Sequence, residues 1–171
     1  MIDLKQYIGA TPDFPKKGVL FRDIQPLLAN PKAFVETVDA LSAPWKGMID
    51  VVVGLDARGF LFAGAIAAKL GVPLVMARKK GKLPGETISV EYELEYGSAS
   101  LEMGLGLIPP GAQVLIVDDL LATGGTAEAA CRLVEKCGGA VVGCSFVIEL
   151  LGLGGKEKLA WYTTKSLVQY E

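Results

Sequence analysis

Four runs in this chain are apolar without regular alternation: Ile49–Leu55 (IDVVVGL), Pro73–Ala77 (PLVMA), Val114–Val117 (VLIV) and Ala140–Leu150 (AVVGCSFVIEL). A strand wetted on one face alternates polar with apolar residues. A run that does not alternate is buried on both faces, which is the habit of parallel strands between helical layers. The intervening segments read as helices. Asn30-Pro31 is an N-cap followed by a proline at the first helical position, and Phe34, Val35, Val38 and Leu41 then share one helical face. Phe60–Leu70 is Ala-rich and closed by Gly71, and Thr126–Cys137 is closed by Gly138-Gly139. Alternating strands and helices predict an α/β fold, a central parallel sheet flanked by helices. Ile88–Leu94 and Ala99–Met103 predict a hairpin, Ile2–Ile8 a short helix, and Gly9–Gly18, with Pro12 and Pro15, an irregular stretch. At 171 residues this is one domain, residues 1–171.

Composition narrows the chemistry. The chain has no histidine, so a His base, a His triad and His metal sites are excluded, and proton transfer falls to Asp, Glu, Lys, Tyr or Cys. Lys+Arg 17 against Asp+Glu 19 leaves a net charge of -2, with no global field for nucleic acid. Cys131, Cys137 and Cys144 form no C-x-x-C pair and read as small core residues of a reducing compartment. No signal peptide opens the chain and no run of about 18 apolar residues exists, so the expectation is a cytoplasmic protein with no membrane or nucleic-acid partner.

Ligands of parallel sheets bind beyond the carboxyl ends of the strands. Three loops therefore matter, after Leu55, Ala77 and Val117. The last is the most informative. The run VLIVDDLLATGGT places Asp118 and Asp119 at a strand end, and Ala122, Thr123, Gly124, Gly125 and Thr126 then open a helix. Glycines let backbone N–H groups approach an anion, and the helix N-terminus adds positive dipole. Carboxylates for hydroxyls beside donors for a phosphate suit a phosphorylated sugar. A nucleotide-cofactor loop is the competitor, yet neither G-x-x-x-x-G-K-[ST] nor G-x-G-x-x-G occurs. After Leu55, the turn Asp56-Ala57-Arg58-Gly59 offers N–H groups and a guanidinium to an anion. After Ala77, Arg78, Lys79, Lys80 and Lys82 crowd positive charge that a diphosphate would neutralise. Residues 83–97 carry glycines at both ends, as a hinged lid does.

The VLIVDDLLATGGT run resembles the 5-phosphoribosyl 1-diphosphate (PRPP) signature of type I phosphoribosyltransferases. The resemblance continues through Phe14-Pro15, Gly18–Ile24, Gly54–Phe60, Arg78–Gly85, Leu94–Gly97 and Ser166–Glu171, where the chain is similar to members of that family that act on adenine. It implies conversion of adenine and PRPP to AMP and pyrophosphate, through an oxocarbenium-like substitution at the anomeric carbon. It implies that Asp118 and Asp119 hold the ribose hydroxyls and residues 122–126 the 5-phosphate. Asp56, Ala57, Arg58, Arg78 and Lys82 are implied at pyrophosphate, with a cis peptide at Asp56-Ala57 and Arg78 reaching a partner subunit's site. Residues 1–28 are implied as a hood over the base, where Leu20, Phe21, Arg22 and Leu150 contact adenine. The flexible lid carries Glu95, the acid for N7 of the base, and Tyr96. Mg²⁺ is implied through substrate oxygens, with no direct protein ligand, and the assembly as a homodimer. The alternatives are a 6-oxopurine phosphoribosyltransferase and a non-catalytic PRPP-binding regulator.

Overall fold

The structure is a computed structural model that describes residues 2–93 and 97–171. It divides into two compact units, Met1–Ala40 and Leu41–Glu171.

In the first unit a short 3-10 helix, Leu4–Tyr7, is capped by Asp3, whose carboxylate accepts the Lys5 N–H. β1 (Gly9–Pro12) then pairs antiparallel with β2 (Leu20–Asp23), from Gly9↔Asp23 to Pro12↔Leu20. This corrects the expectation of an irregular Gly9–Gly18. Proline lacks a donor and ends a strand without forbidding it; Pro12 stands at the last pair of the ladder, so only the connection is irregular. α1 (Gln25–Ala29) and α2 (Pro31–Ser42) follow. The Asn30 carboxamide accepts the Ala33 N–H at 2.9 Å, the N-cap that the sequence announces.

The second unit is built on a seven-stranded sheet of β3 (Val51–Leu55), β4 (Leu74–Lys79), β5 (Thr87–Glu93), β6 (Ser98–Gly104), β7 (Gln113–Leu121), β8 (Ala140–Leu150) and β9 (Thr164–Tyr170). Its spatial order is β5-β6-β4-β3-β7-β8-β9. β4, β3, β7, β8 and β9 run parallel, and the β5–β6 hairpin adds two antiparallel pairings at one edge. α3 (Gly59–Leu70) links β3 to β4, α4 (Gly125–Lys136) links β7 to β8, and α5 (Gly155–Lys158) precedes β9. Every residue of β3 is buried, as its unbroken apolar run requires.

β7 is longer than its apolar core. Pairing with β3 ends at Gly54↔Val117, but pairing with β8 continues through Asp118↔Phe146 to Leu121↔Glu149. Backbone ladder bonds do not depend on side-chain polarity, so the strand passes through its two acids. Asp118 and Asp119 therefore lie past the last β7 pair with β3, in the stretch of β7 that β8 alone carries on. The core between sheet and α4 includes Val53, Leu55, Ile116, Leu133 and Phe146. Cys131 and Cys144 lie in it with their sulfurs 3.7 Å apart. That thiol–thiol hydrogen bond, together with burial, pushes the Cys131 thiol well above its ordinary range. A thiol held protonated in the core is chemically inert.

Candidate active site

The turn from β7 into α4 encloses a small pocket of about 100 Å³, lined by Asp118, Leu120, Leu121 and every residue from Ala122 to Ala127. The acid at the strand end and the whole predicted phosphate loop thus share one cavity. Gly124 has φ +80, and a Cβ there would lie 2.8 Å from the Gly155 carbonyl oxygen. Both the left-handed backbone and this close approach require glycine. The N-cap of α4 is Gly124, which makes no side-chain cap hydrogen bond, and the first turn of the helix supplies the positive end of a helix dipole. The Thr126 hydroxyl donates to the Tyr92 hydroxyl at 3.5 Å, tying the loop to β5.

The two acids have different partners. Asp119 forms a 2.7 Å ion pair with Arg58. The Asp118 carboxylate accepts the Asp119 N–H at 2.8 Å. Burial pushes the Asp118 carboxyl well above the usual carboxylate range, and the neighbouring Asp119 charge adds to it. Burial also raises Asp119, with the Arg58 guanidinium working in the opposite direction. Gly59 explains how the two loops come so close. A Cβ on it would meet Asp118 Oδ1 at 2.7 Å and the Val117 carbonyl at 2.9 Å. Only a bare Cα lets the start of α3 rest on Asp118.

The third loop joins through Asp56. Its carboxylate accepts Arg78 Nε at 3.1 Å and lies 3.9 Å from Lys82 Nζ. Arg78 also donates to the Lys82 carbonyl at 3.3 Å and sits 5.8 Å from the centroid of the Phe60 ring. The Asp56-Ala57 peptide is cis. Of the predicted site residues, Arg58 and Asp119 form one ion pair, Asp56 with Arg78 and Lys82 a second cluster, and Asp118 shares a pocket with the 122–126 loop. Lys79 and Lys80 are exposed.

Leu20, Phe21 and Arg22 lie on β2, in the first unit; Leu20 is exposed and the Phe21 ring stands edge-on to Phe14 at 5.1 Å. Leu150 ends β8, in the second unit, opposite Tyr170 of β9. Glu95 and Tyr96 lie outside the described residues.

Two buried carboxylates escaped the sequence reading. Glu102, only 4% exposed, accepts the N–H groups of Gly81, Lys82 and Leu83 and the Thr87 hydroxyl. Its signal was an acid flanked by Leu101 and Met103 inside a strand. Glu149 accepts from the Ser166 hydroxyl and, at 3.0 Å, from the Gln169 amide. Burial raises the Glu149 carboxyl, and these hydrogen bonds outweigh it and leave it below the ordinary value. Among the described residues no helix is long and apolar enough to cross a membrane.

Comparison with known proteins identifies the architecture. The family model described as "Phosphoribosyl transferase domain" matches residues 29–168. A curated relative from Cereibacter sphaeroides, named adenine phosphoribosyltransferase, is 54% identical over 157 residues, covering 91% of this chain and 88% of its own. The crystal structure of adenine phosphoribosyltransferase from Thermoanaerobacter pseudethanolicus aligns with a TM-score of 0.94 at 48% identity, covering 98% of both chains. The Saccharomyces cerevisiae enzyme, solved with adenine and an imino-altritol bisphosphate, aligns at TM-score 0.90 and 43% identity, covering 96% of both. Sequence identity near one half along nearly the whole chain, on a backbone that superposes as closely, leaves one conclusion: the chain belongs to the phosphoribosyltransferase family, among the adenine phosphoribosyltransferases.

Proposed function

We propose that this chain transfers the 5-phosphoribosyl group of PRPP to adenine, releasing pyrophosphate and forming AMP, a purine-salvage reaction. The observation that carries the reading is the single assembly at the carboxyl end of β3 and β7. There Asp118 and an anion-binding loop share a pocket, while its neighbour Asp119 pairs with Arg58, and Arg78 and Lys82 flank Asp56.

The division of labour follows from charge. Asp118 and Asp119 are acceptors, suited to the ribose hydroxyls. The Ala122–Thr126 loop donates N–H groups and hydroxyls to the 5-phosphate. Arg58, Arg78 and Lys82 face the diphosphate, with Ala57 in the turn between. Asp56, an anion itself, serves that group through the two cations it holds. Bond exchange is then simple. The anomeric C–O bond to the diphosphate breaks as base nitrogen N9 bonds to the same carbon, and the N7 proton passes to the Glu95 carboxylate; in the reverse direction Glu95 is the acid that returns it. Fixed acceptors and donors that favour the charge-separated transition state over the ground state supply the rate.

Mg²⁺ we read as part of the substrate, carried on the diphosphate oxygens, where it neutralises the leaving group. The base contacts at Leu20, Phe21, Arg22 and Leu150, the hood at residues 1–28, the lid at residues 83–97 with Tyr96, and their union in one domain rest on the family resemblance. A homodimer is supported by the exposed apolar side chains Leu61 on α3 and Leu74 and Met76 on β4. In the strand's alternation Leu74 and Met76 share a side with Arg78. The free cysteines support a cytoplasmic setting.

The direct test supplies labelled adenine, PRPP and Mg²⁺ to the purified chain. Labelled AMP and one equivalent of pyrophosphate are expected, and chelation by excess EDTA should stop their formation. PRPP binding without any AMP would instead support the regulator reading.

A further inference from the structure

Four cations in five residues, Arg78, Lys79, Lys80 and Lys82, make a loop that repels itself. Glu102 is the group that holds it. One oxygen of this carboxylate, Oε1, accepts three successive backbone N–H groups, from Gly81 at 2.9 Å and from Lys82 and Leu83 at 3.1 Å. The other, Oε2, accepts the Thr87 hydroxyl at 3.3 Å. Glu102 is buried on β6, directly opposite Arg78 of β4 in the antiparallel register. Three consecutive N–H groups turned inward form a concave anion site of the kind that otherwise cradles phosphate. Here the protein's own carboxylate fills it.

We infer that Glu102 is a positioning residue for pyrophosphate: by occupying the backbone nest at residues 81–83 it fixes the loop, so that Arg78 and Lys82 meet the diphosphate with side chains alone. The same loop is held from its other side by Asp56, through Arg78 and Lys82. Two carboxylates thus hold a loop that binds an anion, one on its side chains and one on its backbone. Glu102 does not touch substrate. Hydrogen bonds to a charged acceptor are about twice as strong as neutral ones, so the loop's geometry depends on that charge as well as on the shape of the side chain.

This inference rests on the reading of Arg78 and Lys82 as pyrophosphate ligands, and the experiment separates the two. Steady-state constants are measured for Glu102→Ala, Glu102→Gln and Lys82→Ala, in the forward reaction and in reverse with AMP and pyrophosphate. For Glu102→Ala the KM values for PRPP and pyrophosphate should rise by about tenfold or more, while that for adenine stays within about twofold. Glu102→Gln keeps the shape and a neutral acceptor, and should fall between wild type and Glu102→Ala. If Glu102→Ala does not fold, Glu102→Gln carries the test, with a rise of roughly threefold in the two diphosphate constants alone. If Lys82→Ala raises the pyrophosphate KM and folded Glu102 variants leave it unchanged, or raise the adenine KM equally, the positioning role is wrong. If Lys82→Ala also leaves it unchanged, the loop is not the pyrophosphate site and the inference falls with that reading.

Discussion

Changing Asp118 and Asp119 together to Asn is expected to weaken PRPP by roughly 10²- to 10⁴-fold. Each charge-assisted hydrogen bond is worth about 1.5–3 kcal/mol, so losing one costs roughly 10- to 150-fold. Free adenine should bind as before, which separates a lost ribose contact from a lost fold. The single variant Asp118→Asn carries a second expectation. Burial, then the Asp119 charge, raises the Asp118 carboxyl in the folded protein. The folded state therefore prefers the protonated form. That contribution is complete below the ordinary carboxylate value of about 3.9 and is lost as pH rises through the raised one. Above this window the ionised side chain works against folding. Asn removes the ionisation and keeps an oxygen to accept the Asp119 N–H. Its Tm should exceed wild type at pH 8, with a smaller difference at pH 4. Thermal melts at both values decide the matter, and an Asp118→Asn variant no more stable than wild type at pH 8 contradicts the account.

Glu95→Gln is expected to lower turnover by roughly 10²- to 10⁴-fold, the range for loss of a general acid–base group. Gln preserves size and hydrogen-bonding reach and removes the exchangeable proton. KM for PRPP should change little, since the effect falls on a step that binding does not share. The chain has no histidine to take over the task. Near-normal turnover would leave Glu95 without a chemical role.

Much of this was legible in the sequence because the relevant physics is local. Ile49–Leu55 announces a doubly buried strand, Asn30-Pro31 a capped helix, and the run from Asp118 to Thr126 a loop with acceptors and donors side by side. The features that were not legible depend on what lies across the sheet. The acids looked like the end of a strand because their polarity breaks the apolar run, and it is the pairing with β8 that carries β7 past them. β9, with Lys165, Ser166 and Gln169 among seven residues, lacks the composition of a buried strand and owes its place to the edge of β8. Gly59 reads as an ordinary start to a helix until Asp118 is seen 2.7 Å from where its Cβ would stand. Glu102 is the clearest case. Its partners are residues 81–83 and Thr87, 15 to 21 positions away, and no local pattern reports a backbone nest at that separation.

The central claim is that this site joins PRPP to adenine rather than to another purine. Adenine presents an amino donor and a ring-nitrogen acceptor where hypoxanthine and guanine present the reverse. Backbone N–H and C=O groups that match one pattern are left unpaired by the other, and sites of that kind reject the mismatched ligand by roughly 10⁴- to 10⁵-fold. The most direct measurement is a competition in one vessel, with adenine, hypoxanthine and guanine at equal concentration, limiting PRPP and Mg²⁺, and the nucleotide products separated and counted. The account predicts AMP as essentially the sole product, with adenine preferred by at least about a thousandfold. IMP or GMP formed within tenfold of AMP would contradict it and assign the chain to the 6-oxopurines.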